Sequence, residues 1–202
     1  MASSDCHKKF FSLKSLMSQD SNFNQLFVPP SQRDHYQGIL NAPVVLVEYG
    51  NYQSPQCGEV HRLIQAIQQH FDSVFSGENR VCVVFRHFIQ NSIYPQAQKA
   101  AEVAEAAAVQ GQFWQMHDML FLHQQELGNG YLVEYADRLG LDISQFLQDL
   151  SKRRHVDRIN EDTASGHHSG VTTVPALFIN GIRYRDRWSV EQLIATIVTA
   201  SH

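Results

Sequence analysis

The sequence contains only three cysteines among its 202 residues, namely Cys6, Cys57 and Cys82. An odd number of cysteines, in a chain whose N-terminal stretch has no apolar run long enough for a secretory signal, argues against a scaffold of structural disulfides. Runs of about 18 consecutive apolar residues are absent too, so no membrane-spanning helix is predicted. The net charge of −4 favours neither a nucleic acid nor an anionic membrane surface as a partner. We therefore expect a cytoplasmic protein.

The chain does contain enough apolar sequence for a globular core, since 43% of its residues are hydrophobic and 18% are charged. Its first 40 residues are polar and include the structure-breaking residues Pro29, Pro30 and Gly38. These features predict an N-terminal arm over residues 1–40 and one folded domain over residues 41–202.

The beginning of the predicted domain alternates between strand and helix patterns. Residues 44–49 form a short β-branched run, as expected of a buried strand. Residues 55–71 place apolar side chains at helical spacing, and residues 81–86 repeat the pattern of a buried strand. A strand, a helix and a strand of these lengths predict a parallel unit with a right-handed crossover.

A helical block of about 70 residues is predicted next, over about residues 92–168. Its alanine-rich beginning favours helix, because alanine is the best helix former. The strand pattern returns at residues 176–179, and Asn180-Gly181 predicts a hairpin turn into a return strand. A closing amphipathic helix is expected over residues 190–198.

This order of strand, helix, strand, helical block, hairpin and helix resembles a thioredoxin fold (βαβ…ββα) with a helical insertion. The expected fold class is therefore α/β, and the sequence is similar to the DsbA-like family, in particular its cytosolic or antiporter-fused domains. The redox loop of that family, in which two cysteines flank two residues, corresponds here to Ser54-Pro55-Gln56-Cys57. Because Ser54 has no thiol, no disulfide can close between positions 54 and 57. The other matching segments are 34–50, 85–88, 100–118 and 170–181.

The resemblance implies roles for the residues around this loop. Cys57 corresponds to the resolving cysteine of dithiol relatives, and Glu48 corresponds to a buried acid that exchanges protons with that thiol. Pro175 corresponds to a cis proline that faces the redox loop and leaves the backbone of Val174 free to pair with an extended peptide or with glutathione. The substrate-binding residues implied in this way are Pro55, Gln56, Val174 and Pro175.

Ser54 and Cys57 each have two interpretations. A serine followed by proline is a good helix start, in which Ser54 caps the helix and Pro55 takes its first position. Alternatively, Ser54 donates a hydrogen bond to a bound thiolate, as a serine at a similar place does in kappa-class glutathione transferases. Cys57 is either a lone reactive thiol or a buried, inert cysteine.

These interpretations lead to three predicted functions. The first is a DsbA-like thiol-disulfide oxidoreductase, an enzyme with monothiol chemistry or glutathionylation at Cys57 in which Ser54 and Glu48 assist. The second is a glutathione transferase or isomerase that uses Ser54. The third is a non-catalytic module that binds peptides at Val174 and Pro175.

Neither a cofactor nor a metal is expected. No cysteine and histidine have the spacing of a zinc site, and His61 and His70 are too far apart to share one helical turn. Glutathione is expected as a substrate rather than a cofactor, and the expected partners are protein thiols or disulfides or glutathione itself. The chain is expected to be a monomer or a homodimer.

Overall fold

The computed structural model describes residues 24–75 and 80–201, so Cys6 and most of the predicted arm lie outside the described residues. The strands in the described part are β1 (His35–Gln37), β2 (Val44–Gly50), β3 (Val81–His87), β4 (Ala176–Ile179) and β5 (Ile182–Arg183). The helices there are α1 (Pro55–Phe75), α2 (Ala97–Val109), α3 (Phe113–Leu122), α4 (Asn129–Arg138), α5 (Ile143–Ser151), α6 (Val156–His168) and α7 (Val190–Ala200).

The strands form one sheet in the order β1-β3-β2-β4-β5. Strands β2 and β3 are parallel, with Leu46 opposite Val83, and α1 connects them. Strand β4 is antiparallel to β2, and β5 returns antiparallel to β4 through a turn in which Asn180 and Gly181 both have positive φ. Helices α2 to α6 lie between β3 and β4 in the chain. The predicted α/β fold class, with its helical insertion, is therefore confirmed.

The sheet begins earlier than the predicted domain boundary at residue 41. Residues His35–Gln37 pair antiparallel with β3 and form an edge strand. Asp34, which precedes this strand, accepts hydrogen bonds from the buried Arg86 of β3 at 2.6 and 3.1 Å. The sequence did not reveal the strand because its side chains are polar, whereas its pairing depends on the backbone and on this ion pair. The arm itself stays a prediction over residues 1–23, which lie outside the described part.

Two apolar clusters pack against the sheet. Successive residues of a strand point to opposite faces, so Leu46 belongs to one cluster and Val47 to the other. The cluster of Leu46 includes Ile64 of α1 and Ile197 of α7, whereas the cluster of Val47 includes Leu120 of the insertion. The insertion therefore completes a core on the strands from which the redox loop emerges.

A buried ionic cluster joins the insertion to the sheet. Glu105 of α2 is 3% exposed. Its Oε1 lies 2.9 Å from His35 Nε2, 3.0 Å from His87 Nε2 and 2.9 Å from Arg158 Nε. Burial acts to raise the pKa of Glu105, but the hydrogen bonds with His35 and His87 outweigh it and hold the pKa well below its usual range. A charged carboxylate thus connects β1, β3, α2 and α6.

Replacement of Glu105 tests how much this ionic cluster contributes to the free energy of unfolding. Glu105→Gln should lower the free energy of unfolding by about 3 kcal/mol at pH 7, because Arg158 loses a buried charged partner. The loss should shrink as the pH falls below 4.5, where the carboxyl group of the unfolded chain becomes protonated. Urea unfolding at several pH values measures both effects. Glu102→Gln is the matched control on α2 and should cost less, since its partner Arg153 is 62% exposed; equal losses would contradict the prediction.

Candidate functional site

Short-range hydrogen bonds shape the loop between β2 and α1. The carboxamide oxygen of Asn51 accepts hydrogen bonds from the N–H groups of Gln53 at 3.1 Å and of Ser54 at 2.9 Å. The Ser54 hydroxyl accepts a hydrogen bond from the N–H of Cys57 at 3.4 Å, as an N-cap does, and Pro55 is the first residue of α1. The residues of the loop themselves therefore set the start of the helix.

The insertion holds this loop from a second direction. The side-chain nitrogen of Gln124 donates hydrogen bonds to the carbonyl oxygens of Tyr52 at 2.9 Å and of Ser54 at 2.7 Å. Gly58, on the first turn of α1, allows this approach, because a Cβ atom at position 58 would overlap the Gln124 carboxamide. A larger residue at position 58 would therefore displace the side chain that fixes the loop.

Cys57 lies on the first turn of α1 with no solvent exposure (0%). Burial and then the nearby Glu48 raise the pKa of its thiol to about 12, although the hydrogen bond with Ser54 acts in the opposite direction. A helix N-terminus ordinarily makes a thiol more acidic, so the effect of burial is the larger one here. Cys57 is therefore a protonated thiol near neutral pH.

Glu48 lies on the central strand β2, two residues before the strand ends, and is 3% exposed. Its Oε1 has no hydrogen-bond partner among the residues that the structure describes, and burial raises its pKa to about 8. A Cβ atom added at Gly50 would lie 3.0 Å from this Oε1 and 3.5 Å from Cys57 Sγ. The carboxyl oxygen and the sulfur therefore both border the space that a side chain at position 50 would fill.

The segment before β4 continues along the end of β2. Ala176 pairs with Tyr49, so the antiparallel register carries the chain of Pro175 and Val174 towards the start of the loop. The Val174–Pro175 peptide bond is cis. In the described part of the chain, neither the N–H nor the C=O of Val174 takes part in a backbone–backbone hydrogen bond of a turn or loop. Val174 itself is buried, with 9% of its surface exposed.

The predicted site residues divide into two groups. Ser54 caps the helix through Cys57, and Glu48 and Cys57 both border the space beside Gly50. Gln56 is exposed and its side-chain oxygen accepts a hydrogen bond from the Ser54 hydroxyl at 3.2 Å, and Pro55 is exposed beside it. Within residues 24–75 and 80–201, no hydrogen bond joins the segment of Val174 to Ser54 or Cys57. The catalytic and substrate-binding roles of these residues stay predictions.

Three further polar residues near the site were not found from the sequence. A cavity of about 70 Å³ beside Glu48 is also lined by His61, His117 and Asp118. His61 follows Cys57 by four residues, which places both on one face of α1, and this spacing was the only available signal. His117 and Asp118 lie on α3, far away in the chain, so that only the packing of α3 against α1 brings them to the cavity.

Comparison with known proteins identifies similar chains. The model of the family described as Thioredoxin matches residues 31–198. The chain is 37% identical over 188 residues to the Na(+)/H(+) antiporter NhaA 3 of Salinispora tropica, a match that covers 93% of this chain and 28% of that protein. It is 38% identical over 169 residues to the Na(+)/H(+) antiporter NhaA 1 of Mycolicibacterium vanbaalenii, covering 82% and 26%. The chain thus spans about a quarter of the curated relatives that it matches, and none of its described helices has the length and apolar character needed to cross a membrane.

Solved structures of the same fold agree with this match. Oxidised BdbD from Bacillus subtilis superimposes with a TM-score of 0.74 at 19% identity, over 88% of this chain and 98% of that one. The α-DsbA1 protein of Wolbachia pipientis gives a TM-score of 0.72 at 18% identity, over 86% and 94% of the two chains. At these identities the likeness concerns the fold alone.

The raised pKa of Glu48 predicts a pH-dependent stability. Between pH 4.5 and about 8 the folded protein keeps a proton that the unfolded chain releases, so stability should fall as the pH rises through this range. Glu48→Gln should remove this dependence. As the pH rises through this range, the free energy of unfolding of the variant should therefore increase relative to that of the wild type by up to about 1.4 kcal/mol per pH unit. Urea unfolding from pH 5 to about 8 is the measurement. Glu59→Gln, an exposed carboxylate of α1, should follow the wild type, and parallel profiles for wild type and Glu48→Gln would refute the prediction.

Proposed function

The chain belongs to the thioredoxin family, in its DsbA-like branch, and from this premise we propose that it exchanges disulfides through a single thiol, that of Cys57. Its substrates on this proposal are protein disulfides or glutathione disulfide. Ser54 cannot supply a second thiol, so resolution of the mixed disulfide requires an external thiol. The protein would then catalyse thiol-disulfide exchange between other molecules, without the internal disulfide on which a disulfide oxidase depends.

The observation that carries the proposal is that Glu48 Oε1 and Cys57 Sγ both lie within 3.5 Å of the position that a Cβ atom would take at Gly50. An unpartnered carboxyl group in a protein interior destabilises the fold, and such groups are concentrated at functional sites. A pKa of about 8 lets this carboxyl group accept and return a proton near neutral pH. The thiol beside it has a pKa of about 12 and needs such a base to become nucleophilic.

The proposed exchange needs no oxidant other than the disulfide substrate. The ionised form of Glu48 takes the proton from the Cys57 thiol, and the thiolate attacks one sulfur of a disulfide R–S–S–R′. The Cys57–S–S–R bond forms as the R–S–S–R′ bond breaks, and the leaving thiolate R′–S⁻ takes up the proton. An external thiol R″–SH then attacks the mixed disulfide, which releases R–S–S–R″ and restores the Cys57 thiol.

Access to the sulfur limits the rate of this exchange. Because Cys57 has 0% exposure, the loop and the first turn of α1 must move before a disulfide can reach it. The 3.4 Å bond from the Cys57 N–H to Ser54 is long for a hydrogen bond and opens readily, whereas the 2.7 Å bond from Gln124 to the Ser54 carbonyl is short. We therefore expect slow exchange that a substrate promotes by binding first at the backbone of Val174.

The complete burial of Cys57 also favours a second candidate function, the binding of extended peptides without covalent chemistry. The backbone of Val174 offers one N–H and one C=O group without backbone partners in the described part of the chain. An extended peptide can add to such an edge as a further strand. This candidate predicts that substitution at Val174 or Pro175 abolishes function, while substitution at Cys57 does not.

The glutathione transferase interpretation meets an obstacle at Ser54. Its side chain is buried, accepts a hydrogen bond from the Cys57 N–H and donates one to Gln56. A glutathione thiolate would have to displace Gln56 to receive that hydrogen bond. This interpretation stays a prediction, as do the cytoplasmic location and the monomeric or dimeric state. The ion transport in the names of the curated relatives is not proposed for this chain, which spans about a quarter of their length.

Glutathionylation of Cys57 tests the first proposal. After incubation with oxidised glutathione, intact mass spectrometry should detect a glutathione adduct on the wild type, and peptide mapping should locate it at Cys57. The Cys57→Ala variant should lose this adduct. Cys82→Ala is the control and should keep it, because this variant leaves Cys57 and Glu48 in place. A wild-type protein without an adduct at Cys57 would contradict monothiol exchange and would leave glutathione transfer through Ser54 and peptide binding as the remaining predictions.

Restoration of the missing thiol tests the geometry of the loop. Ser54→Cys should form a disulfide with Cys57 on mild oxidation and should reduce insulin in the presence of a thiol donor, because the helix start favours a thiolate at position 54. Thiol counting and the insulin turbidity assay measure these two properties. Ser54→Ala, which removes the hydroxyl without adding sulfur, should do neither. If Ser54→Cys forms no disulfide, the loop has diverged from the redox family beyond its first residue.

A further inference from the structure

A group of three potential metal ligands lies between α1 and α3. His61 of α1 and His117 and Asp118 of α3 each offer a ligand atom, and these atoms all lie within 4.8 Å of one another. Of these atoms, His61 Nε2 and Asp118 Oδ1 are 3.3 Å apart. That separation is close to the spacing of roughly 3.3–3.5 Å between neighbouring ligands of a tetrahedral zinc ion.

The same three residues line a cavity of about 70 Å³ together with Glu48. The Oε1 atom of Glu48 is an independent sign of a missing partner, because this side chain is 3% exposed and its Oε1 has no hydrogen bond within the described residues. A volume of this size accommodates about two water molecules or one partly hydrated ion. A cation in the cavity would be balanced by Asp118 and would face the otherwise unpartnered carboxyl group.

Surrounding contacts orient both imidazole rings. His117 Nδ1 lies 3.1 Å from the Tyr52 hydroxyl and forms a hydrogen bond with it. The other ring nitrogen, Nε2, is then the one available to a metal ion. A hydrogen-bonded second nitrogen is the usual arrangement for a histidine that binds a metal. The His61 ring stacks on Phe121 with centroids 4.7 Å apart, and the His117 ring meets Trp114 edge-on at 5.0 Å.

We propose that His61, His117 and Asp118 bind one divalent transition-metal ion of the zinc class, with a water molecule in the open position that faces Glu48. Two imidazoles and one carboxylate favour zinc, cobalt or nickel over calcium or magnesium, which prefer oxygen ligands. The site shares the Glu48 carboxyl group with the chemistry proposed for Cys57, but its three ligands do not depend on that chemistry. It was not visible in the histidine spacing, because its ligands come from two helices.

The test is a titration of the full, reduced and EDTA-treated chain with Co²⁺ and then Zn²⁺, followed by visible absorption and by calorimetry. We expect one ion per chain and a cobalt spectrum typical of nitrogen and oxygen ligands. His61→Gln and Asp118→Asn should each weaken binding by at least about tenfold. His70→Gln, an exposed histidine on the same helix, is the matched control and should bind as the wild type does.

Three results would overturn the proposal. The first is no saturable binding by the wild type, and the second is unchanged affinity in both ligand variants. The third is an intense thiolate-to-cobalt band that Cys57→Ala removes, since it would place the ion on sulfur. Thermal unfolding without metal verifies that the variants are folded, and Asp118→Asn provides the safer variant because Asp118 is 53% exposed. The titration also tests the expectation that the protein binds no metal.

Discussion

Glu48 carries a carboxyl group into the interior at the end of the central strand, and the properties of its neighbours follow from that burial. Its own pKa rises to about 8, and its proximity contributes to the pKa of about 12 at Cys57. Because Oε1 has no partner in the described part of the chain, the group favours neighbours that can exchange a proton or supply positive charge. The thiol lies on one side of it and the cavity with the two histidines lies on another.

The rest of the fold keeps this carboxyl group in place. Strand β2 has partners on both sides, so the position of Glu48 between Phe85 and Leu177 is set by two registers. Gly50 leaves a space that both the carboxyl group and the sulfur border. The insertion supplies the remaining wall, because Gln124 fixes the loop and His117 closes the cavity. The helical insertion is therefore part of the site as well as part of the core.

The serine at position 54 changes the chemistry of the loop while preserving its shape. Its hydroxyl caps α1 through the Cys57 N–H, a role that a thiol fills less well because sulfur is a weak acceptor. The loop thus gains a helix cap and loses its internal disulfide. What remains is a buried thiol close to the Glu48 carboxyl group, with Val174 near the end of the same strand. Slow exchange with external thiols, or binding without exchange, is what we propose for this arrangement.

The sequence by itself determined the fold and the lack of a second thiol in the loop at Ser54, because both depend on local patterns. The buried strand at Val44–Gly50, the Asn180-Gly181 turn and the replacement at Ser54 are all legible within a few residues. Only the tertiary structure revealed the edge strand at His35–Gln37, whose polar side chains give no strand pattern and whose pairing is a backbone property. It also decided that Cys57 is sealed from solvent and that His61 meets His117 and Asp118. Burial and the meeting of side chains from different helices depend on how distant segments pack, and no local pattern encodes that.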